Sequence, residues 1–252
     1  MAAFDNRIVV VTGAAGGIGS AISTRFASEG AHVIAVDKNE EWLAILRDVM
    51  ADKGLTTELL PLDCSDYDAV QKAHADIIAA HGRVDILINN CGQSARQKQT
   101  DFTDSDPAIW DFLIDTNLRT TLNWSRAVAP GMRERQSGKI VNIASESAIY
   151  GDPKLVDYAA VKGGVIGFTR GLARELAPFG INVNAVSPGV TRTRAVIDGV
   201  PKHIVDAAMA QIPRGRMCEP EDMAAVIRFL ASEDAIGIVG QNIIVNGGRT
   251  MQ

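Results

Sequence analysis

Only three cysteines, Cys64, Cys91 and Cys218, occur in 252 residues, with no CxxC pair and no histidine at ligand spacing. A set so few, odd and scattered offers neither a disulfide framework nor a zinc motif, and no metal is expected. Excess charge is equally scarce: 25 Lys and Arg stand against 30 Asp and Glu, a net charge of −5 at pH 7. That balance argues against a general binder of nucleic acid or of anionic membranes. Long apolar runs are missing too, and none approaches the roughly 20 residues of a membrane span. The opening MAAFDNRIVVVTG enters a strand pattern with no basic segment and long apolar stretch ahead of it. Neither a secretion signal nor a membrane anchor is therefore expected, and the chain reads as cytoplasmic. No linker, repeat or low-complexity tract divides it, so residues 1–252 read as one domain.

What the chain has is alternation. RIVVVT, AHVIAVD, TELLPLD, VDILINN, GKIVNIAS, INVNAVSP and NIIVNGG are short Val/Ile-rich runs ending in small or polar residues. Between them lie helical patterns, including GIGSAISTRFASEG, NEEWLAILRDVMADKG, DYDAVQKAHADIIAAHG, the long DPAIW…GMRER and VDYAAVKGGVIGFTRGLARELAPFG. Strand–helix alternation with continuously apolar strands predicts a parallel sheet covered on both faces. About seven strand signals fit a doubly wound α/β domain better than the eight of a (β/α)8 barrel.

The first turn carries chemistry. TGAAGGIG (residues 12–19) follows a strand and opens a helix, the context a phosphate-binding glycine turn requires. Gly13 permits the tight turn, Gly17 lets backbone approach a phosphate, and Gly19 lets the helix pack against the strand. Asp37 ends the second strand roughly twenty residues on, where a carboxylate can bind an adenosine ribose diol. It would repel a 2′-phosphate, which favours NAD over NADP; the adjacent Lys38 argues the other way. A helix N-cap is the structural alternative for Asp37. Asp63 and Asn89–Gly92 close the third and fourth runs, at the strand ends where ligands bind in such sheets. Asn89 is expected to tie neighbouring strands together. Asn117 is a poor helix former inside the long helical pattern, either a polar group on the helix surface or a functional one.

From Ser145 to Lys162 the chain places a serine at a strand end, then Tyr158, then Lys162 four residues later. Residues four apart share a helix face. A fixed cation beside a phenol favours the phenolate and brings a pKa near 10 toward the working range. Ser145 can hold a carbonyl oxygen beside it. The set suits proton transfer to or from a C–O group, although an isolated YxxxK pair also arises by chance on solvated helices.

Taken together, the motifs resemble those of the short-chain dehydrogenase/reductase family over essentially the whole chain. TGAAGGIG resembles its cofactor turn, NNCG its NNAG strand end with Cys91 in place of alanine, and SPGVTRT (residues 187–193) its PG segment. Ser145, Tyr158 and Lys162 match its active-site triad, and Asn117 its fourth catalytic position. The resemblance implies a Rossmann-type sheet in the order 3-2-1-4-5-6-7, with Tyr158 as general acid/base and Ser145 holding the substrate oxygen. Lys162 would bind the nicotinamide ribose and lower the Tyr158 pKa, and Asn117 would order a water linking Lys162 to solvent. Backbone near Ile18, Asn90 and Thr191 would touch the dinucleotide, and Asp63 the adenine. A homo-oligomer, commonly a tetramer, is implied, with contacts through the helices around Asn117 and Tyr158.

The same family places a substrate lid after the PG segment, here at about residues 191–217. It carries Arg192, Arg194, Lys202, Arg214 and Arg216 against Asp198 and Asp206, with Arg96 and Lys98 as further candidates for one basic patch. Such charge suits an anionic substrate, although Arg214 and Arg216 lie in a segment common across the family. The leading expectation is an NAD-dependent oxidoreductase interconverting a secondary alcohol and a ketone. A 3-oxoacyl-thioester reductase using NADPH or NADH comes second, and a non-catalytic NAD-binding sensor is the remoter alternative.

Overall fold

The computed structural model describes residues 3–98 and 100–251, without the side chain of Arg96. Seven strands, β1 (Ile8–Thr12), β2 (His32–Asp37), β3 (Glu58–Pro61), β4 (Ile86–Asn89), β5 (Gly138–Ile143), β6 (Ile181–Pro188) and β7 (Asn242–Val245), pair in parallel. Their order is β3-β2-β1-β4-β5-β6-β7. All seven coincide with the apolar runs of the sequence, and the order is the one expected.

Strand β1 shows why these runs make a doubly covered sheet. Successive side chains alternate between faces, so Val9 and Val11 join one core and Ile8 and Val10 the other, and all are buried. The first face is roofed by α1 (Gly17–Ser28), α2 (Glu40–Ala51) and, from the chain's far end, a helix at Pro220–Leu230. The second is covered by helices α3 (Tyr67–His81), α5 (Thr120–Arg135) and α7 (Val156–Leu176). Each large aliphatic withdrawn from water there contributes roughly 1.5–3 kcal/mol.

Three differences from the sequence reading matter. The pattern taken as one long helix is broken: α4 (Pro107–Leu113) runs into a π-helical stretch, Ile114–Arg119, before α5 begins. The helix at Pro220–Leu230 was not anticipated at all. Short helices α6 (Ser147–Tyr150), α8 (Arg194–Ile197) and α9 (Lys202–Met209) complete the set, with α10 being Pro220–Leu230. Strand β3 also stops at Pro61, so Asp63 lies two residues beyond its end rather than on it. No helix of the described residues is long and apolar enough to cross a membrane.

Candidate active site

Because every strand is parallel, the C-terminal ends of β1, β2, β4, β5 and β6 lie along one edge of the sheet, and Gly13, Asp37, Asn90, Ser145 and Thr191 stand at or just beyond them. The β1–α1 turn is built for close approach. Gly13 holds φ +60°, and a Cβ on Gly19 would land on the Gly13 carbonyl oxygen. The α1 cap residue, Gly16, offers no side-chain oxygen to the first-turn amides, and no acidic residue stands in that turn. Those amides, Gly17, Ile18 and Gly19 among them, are donors at the positive end of a helix dipole. The open side of Gly17 faces Thr193, whose Cγ2 lies 3.0 Å from where a Cβ would stand.

Asp37 reaches back to this turn. Its Oδ2 accepts the Ala15 N–H at 3.2 Å and its Oδ1 the Asn39 N–H at 3.0 Å. It is not the cap of α2; Asn39 is, accepting from the Trp42 N–H at 2.9 Å. Asp63 is exposed and accepts from the Ser65 hydroxyl at 2.7 Å and the Ser65 N–H at 2.9 Å. These bonds, assisted by the charge of Lys38, hold its pKa below the usual carboxylate value. Asn90 Nδ2 donates to the carbonyls of Thr12 and Gly13 at 3.1 and 2.9 Å, locking the turn to the end of β4. Asn89 does link strands, donating to Asn142 Oδ1 at 2.8 Å and to Ser125 Oγ at 3.0 Å. Thr191 is buried beyond β6 and bridges to Cys218.

Lys162 is the centre of the second group. It rises from α7 with only 3% exposure, donates from Nζ to the Ile143 carbonyl at 2.8 Å, and lies 6.0 Å from the centroid of the Tyr158 ring. Burial lowers its pKa from the ordinary 10.5 to about 8. Ile143 ends β5, so the same contact sets α7 against the strand that delivers Ser145. The Ser145 hydroxyl is buried and accepts the Ser147 N–H at 3.2 Å.

Asn117 is not a surface residue. It is fully buried in the π-helical stretch, donates from Nδ2 to the Gln93 and Leu113 carbonyls at 2.9 Å each, and accepts the Gln93 N–H at 3.2 Å. The widened turn is where a helix can give its i−4 carbonyl to a side chain. Gly92 explains how Asn117 and Lys162 meet: a Cβ there would lie 2.6 Å from Asn117 Oδ1 and 2.9 Å from Lys162 Nζ. Its role escaped the sequence reading, although NNCG contains it.

A second feature was invisible in the sequence. Glu146, next to Ser145, and Arg249, near the far end of the chain, form a buried ion pair at 2.7 Å. Arg249 also reaches Asp152 at 3.2 Å and lies over the Tyr150 ring, and Asn246 Nδ2 donates to Glu146 at 3.0 Å. The far end of the chain is thereby fastened onto the Ser145 loop. Cys91 is half-buried after β4, where its N–H donates to Thr12 Oγ1 at 3.2 Å. A hydrogen bond shared with Cys64 lowers the Cys91 thiol pKa and raises that of Cys64.

The lid cations prove largely committed. Arg192 pairs with Glu219 at 3.0 Å, Lys202 with Asp206 at 2.6 Å, and Arg216 with Asp222 through two bonds of 2.7 and 3.2 Å. Arg194 sits over the Trp42 ring, 5.3 Å from its centroid. The side chain of Arg96 lies outside what is described. Of the lid cations that the sequence offered to an anionic substrate, Arg192, Lys202 and Arg216 are thus paired with acids and Arg194 with a ring.

The uncapped glycine turn, the carboxylate at the end of β2 and the side-chain-free passage at Gly92 fit a dinucleotide laid along this edge, with a proton-transfer group at one end. The fold and crevice thus define a class: a Rossmann-type oxidoreductase. The chain belongs to the short-chain dehydrogenase/reductase family. A family model described as Enoyl-(Acyl carrier protein) reductase matches residues 13–250. The chain is 38% identical over 246 residues to the 3-oxoacyl-(acyl-carrier-protein) reductase FabG of Thermotoga maritima, covering 97% of this chain and 98% of that one. It superposes on levodione reductase with a TM-score of 0.91 at 32% identity, covering 98% of both chains. A 3-oxoacyl-(acyl-carrier protein) reductase from Brucella melitensis with bound NAD gives a TM-score of 0.90 at 34% identity, over 99% of this chain and 93% of that one.

Proposed function

We propose that the chain is an NAD(H)-dependent reductase of 3-oxoacyl thioesters, working through Ser145, Tyr158, Lys162 and Asn117 as one 1–252 domain. The carrying observation is the buried Lys162 ammonium, bonded to Ile143 and set 6.0 Å from the Tyr158 ring. The sequence alone ranked simple secondary alcohols ahead of 3-oxoacyl thioesters; the relatives' names reverse that order. Exposed Ile197 and Ile204 on the 191–217 lid, together with the pairing of Arg192 to Glu219 and of Lys202 to Asp206, favour an acyl chain over a small free anion.

A bound nicotinamide supplies the hydride, and the remaining work belongs to the protein. Ser145 holds the substrate oxygen, and Tyr158 gives that oxygen its proton, leaving a phenolate that the Lys162 charge stabilises. Asn117 positions this group by holding the Gly92–Gln93 backbone against Lys162; the water that the family resemblance assigns to it would sit beside these atoms. The residues toward the dinucleotide are the turn Gly13, Gly17, Ile18 and Gly19, then Asp37, Asp63, Asn90 and Thr191. The choice of NAD rests on Asp37, supported by the NAD-bound neighbour. Apolar Phe112, Ile114 and Leu122, exposed along the run from α4 to α5, favour a homo-oligomer built through these helices.

The test is Tyr158→Phe with acetoacetyl-CoA and NADH. NADH binding should persist while turnover falls at least ~10²-fold, the scale of general acid–base catalysis; retained turnover refutes the assignment. A parallel run with levodione decides the second reading, reduction of a simple ketone to a secondary alcohol, which the likeness to levodione reductase favours.

A further inference from the structure

At the opposite edge of the sheet, away from the crevice, three side chains from separate elements converge. His32 begins β2, Glu58 begins β3 and His81 ends α3. His32 Nε2 and His81 Nε2 both point at one oxygen, Glu58 Oε2, from 3.1 and 3.0 Å. Their rings lie 4.5 Å apart, and the three donor atoms all fall within 4.8 Å of one another. Among the described residues no other three His, Cys, Asp or Glu side chains gather so closely.

We propose that His32, Glu58 and His81 form a divalent transition-metal site, selective for zinc over magnesium, with a water in the fourth position. Tetrahedral zinc, with bonds of about 2.0–2.1 Å, holds its ligands about 3.3 Å apart. The two nitrogen–oxygen separations are already within a few tenths of an ångström of that. Two imidazoles and one carboxylate suit zinc, whereas magnesium and calcium prefer all-oxygen shells. Bound to a metal, each ring would present its Nε2 lone pair and keep its proton on Nδ1, and Glu58 Oε2, which now faces both Nε2 atoms, would supply the third ligand.

The scaffold is preset. The His32 N–H is held by the Arg7 carbonyl at 2.9 Å, Thr57 Oγ1 donates to the Val33 carbonyl at 3.0 Å, and Gly82 closes α3 immediately after His81. The His32 and Glu58 side chains are 45% and 44% exposed, so an ion enters without any opening of the fold. Its ligands would tie the edge strand β3 to β2 and α3. Spacing rules could not find this site, because the ligands come from three elements and share no local motif.

Isothermal titration of chelator-stripped protein with zinc chloride at pH 7.5 tests the proposal. One zinc per chain, at micromolar affinity or tighter, is expected together with a raised Tm; magnesium at the same concentration should do neither. His32→Gln, Glu58→Gln and His81→Gln should each weaken binding at least tenfold. On the unaltered chain, zinc should shift the ring NMR signals of His32 and His81 and leave those of His74 and His203, which complete the four histidines. Absence of binding, or full binding by a His32→Gln/His81→Gln variant, would assign zinc elsewhere or nowhere and overturn the site. NADH binding and turnover play no part in these readouts.

Discussion

Lys162 Nζ and the Ile143 carbonyl meet at 2.8 Å with the lysine almost sealed from water. A strand end and a helix are joined there by a charge that folding alone would avoid. Burial lowers its pKa to about 8, against 10.5 ordinarily, in keeping with that cost. The folded value lies below the unfolded one, so between about pH 8 and 10.5 the unfolded chain holds the extra proton. Stability therefore rises with pH across that window, and below it the full penalty stands.

Lys162→Met should accordingly lose activity and gain stability. The penalty removed at pH 7 is at most about 3 kcal/mol, less roughly 1 kcal/mol for the hydrogen bond to Ile143. A Tm several degrees above the parent is expected at pH 7, with the gap narrowing as pH climbs from 8 toward 10.5. Thermal melts of both proteins over that range check it. A variant that is less stable at every pH would contradict the burial argument.

Gly92→Ala tests the passage between Asn117 and Lys162. The added methyl would stand 2.6 and 2.9 Å from Asn117 Oδ1 and Lys162 Nζ, side-chain ends held by their bonds to Gln93, Leu113 and Ile143. Overpacking of this kind typically costs about 1–3 kcal/mol. Both groups should shift, so kcat should fall by roughly 10²-fold while NADH affinity, set mainly at the β1 and β2 ends, changes little. Fluorescence titration beside steady-state kinetics separates the two; an undiminished kcat would remove Gly92 from the account.

Asp37→Ser addresses the cofactor. Removing the carboxylate deletes the group that repels a 2′-phosphate and leaves Lys38 nearby. The ratio of kcat/KM for NADH to that for NADPH should drop at least tenfold. Stability should fall as well, by roughly 1 kcal/mol for each of the lost bonds to Ala15 and Asn39. An unchanged ratio would move cofactor choice to some other residue.

How much of this was readable beforehand follows from the range of each interaction. The strands showed as contiguous apolar runs, and Tyr158 and Lys162 as a four-residue spacing, because both signals are local. The break at Ile114–Arg119 is local too, but no residue type announces a π turn, and only the burial of Asn117 makes sense of it. α10 did carry a signal that went unread: Pro220 at its first position and Asp222, whose carboxylate accepts the Glu219 N–H at 2.9 Å. The lid cations misled because composition counts charges without their partners. Glu146 and Arg249, like His32 with Glu58 and His81, meet only after the sheet has set their places.

The Glu146–Arg249 pair yields the last prediction. Both side chains are under a tenth exposed, so replacing Arg249 by Met leaves Glu146 buried with Asn246 as its remaining side-chain hydrogen-bond partner among the described residues. Breaking one side of a buried pair typically costs about 3–5 kcal/mol. Lost contact with Asp152 and the Tyr150 ring frees the loop that begins at Ser145. Arg249→Met should thus lower Tm and raise KM for the keto substrate, with little change in NADH affinity. Arg249→Lys, which keeps the charge to Glu146 but cannot fork to Asp152, should recover part of the stability. Removing both charges, Glu146→Gln with Arg249→Met, should cost less than Arg249→Met alone, because no unpaired charge stays buried. Equal losses in the single and double variants would mean that the fastening acts through packing rather than through the ion pair.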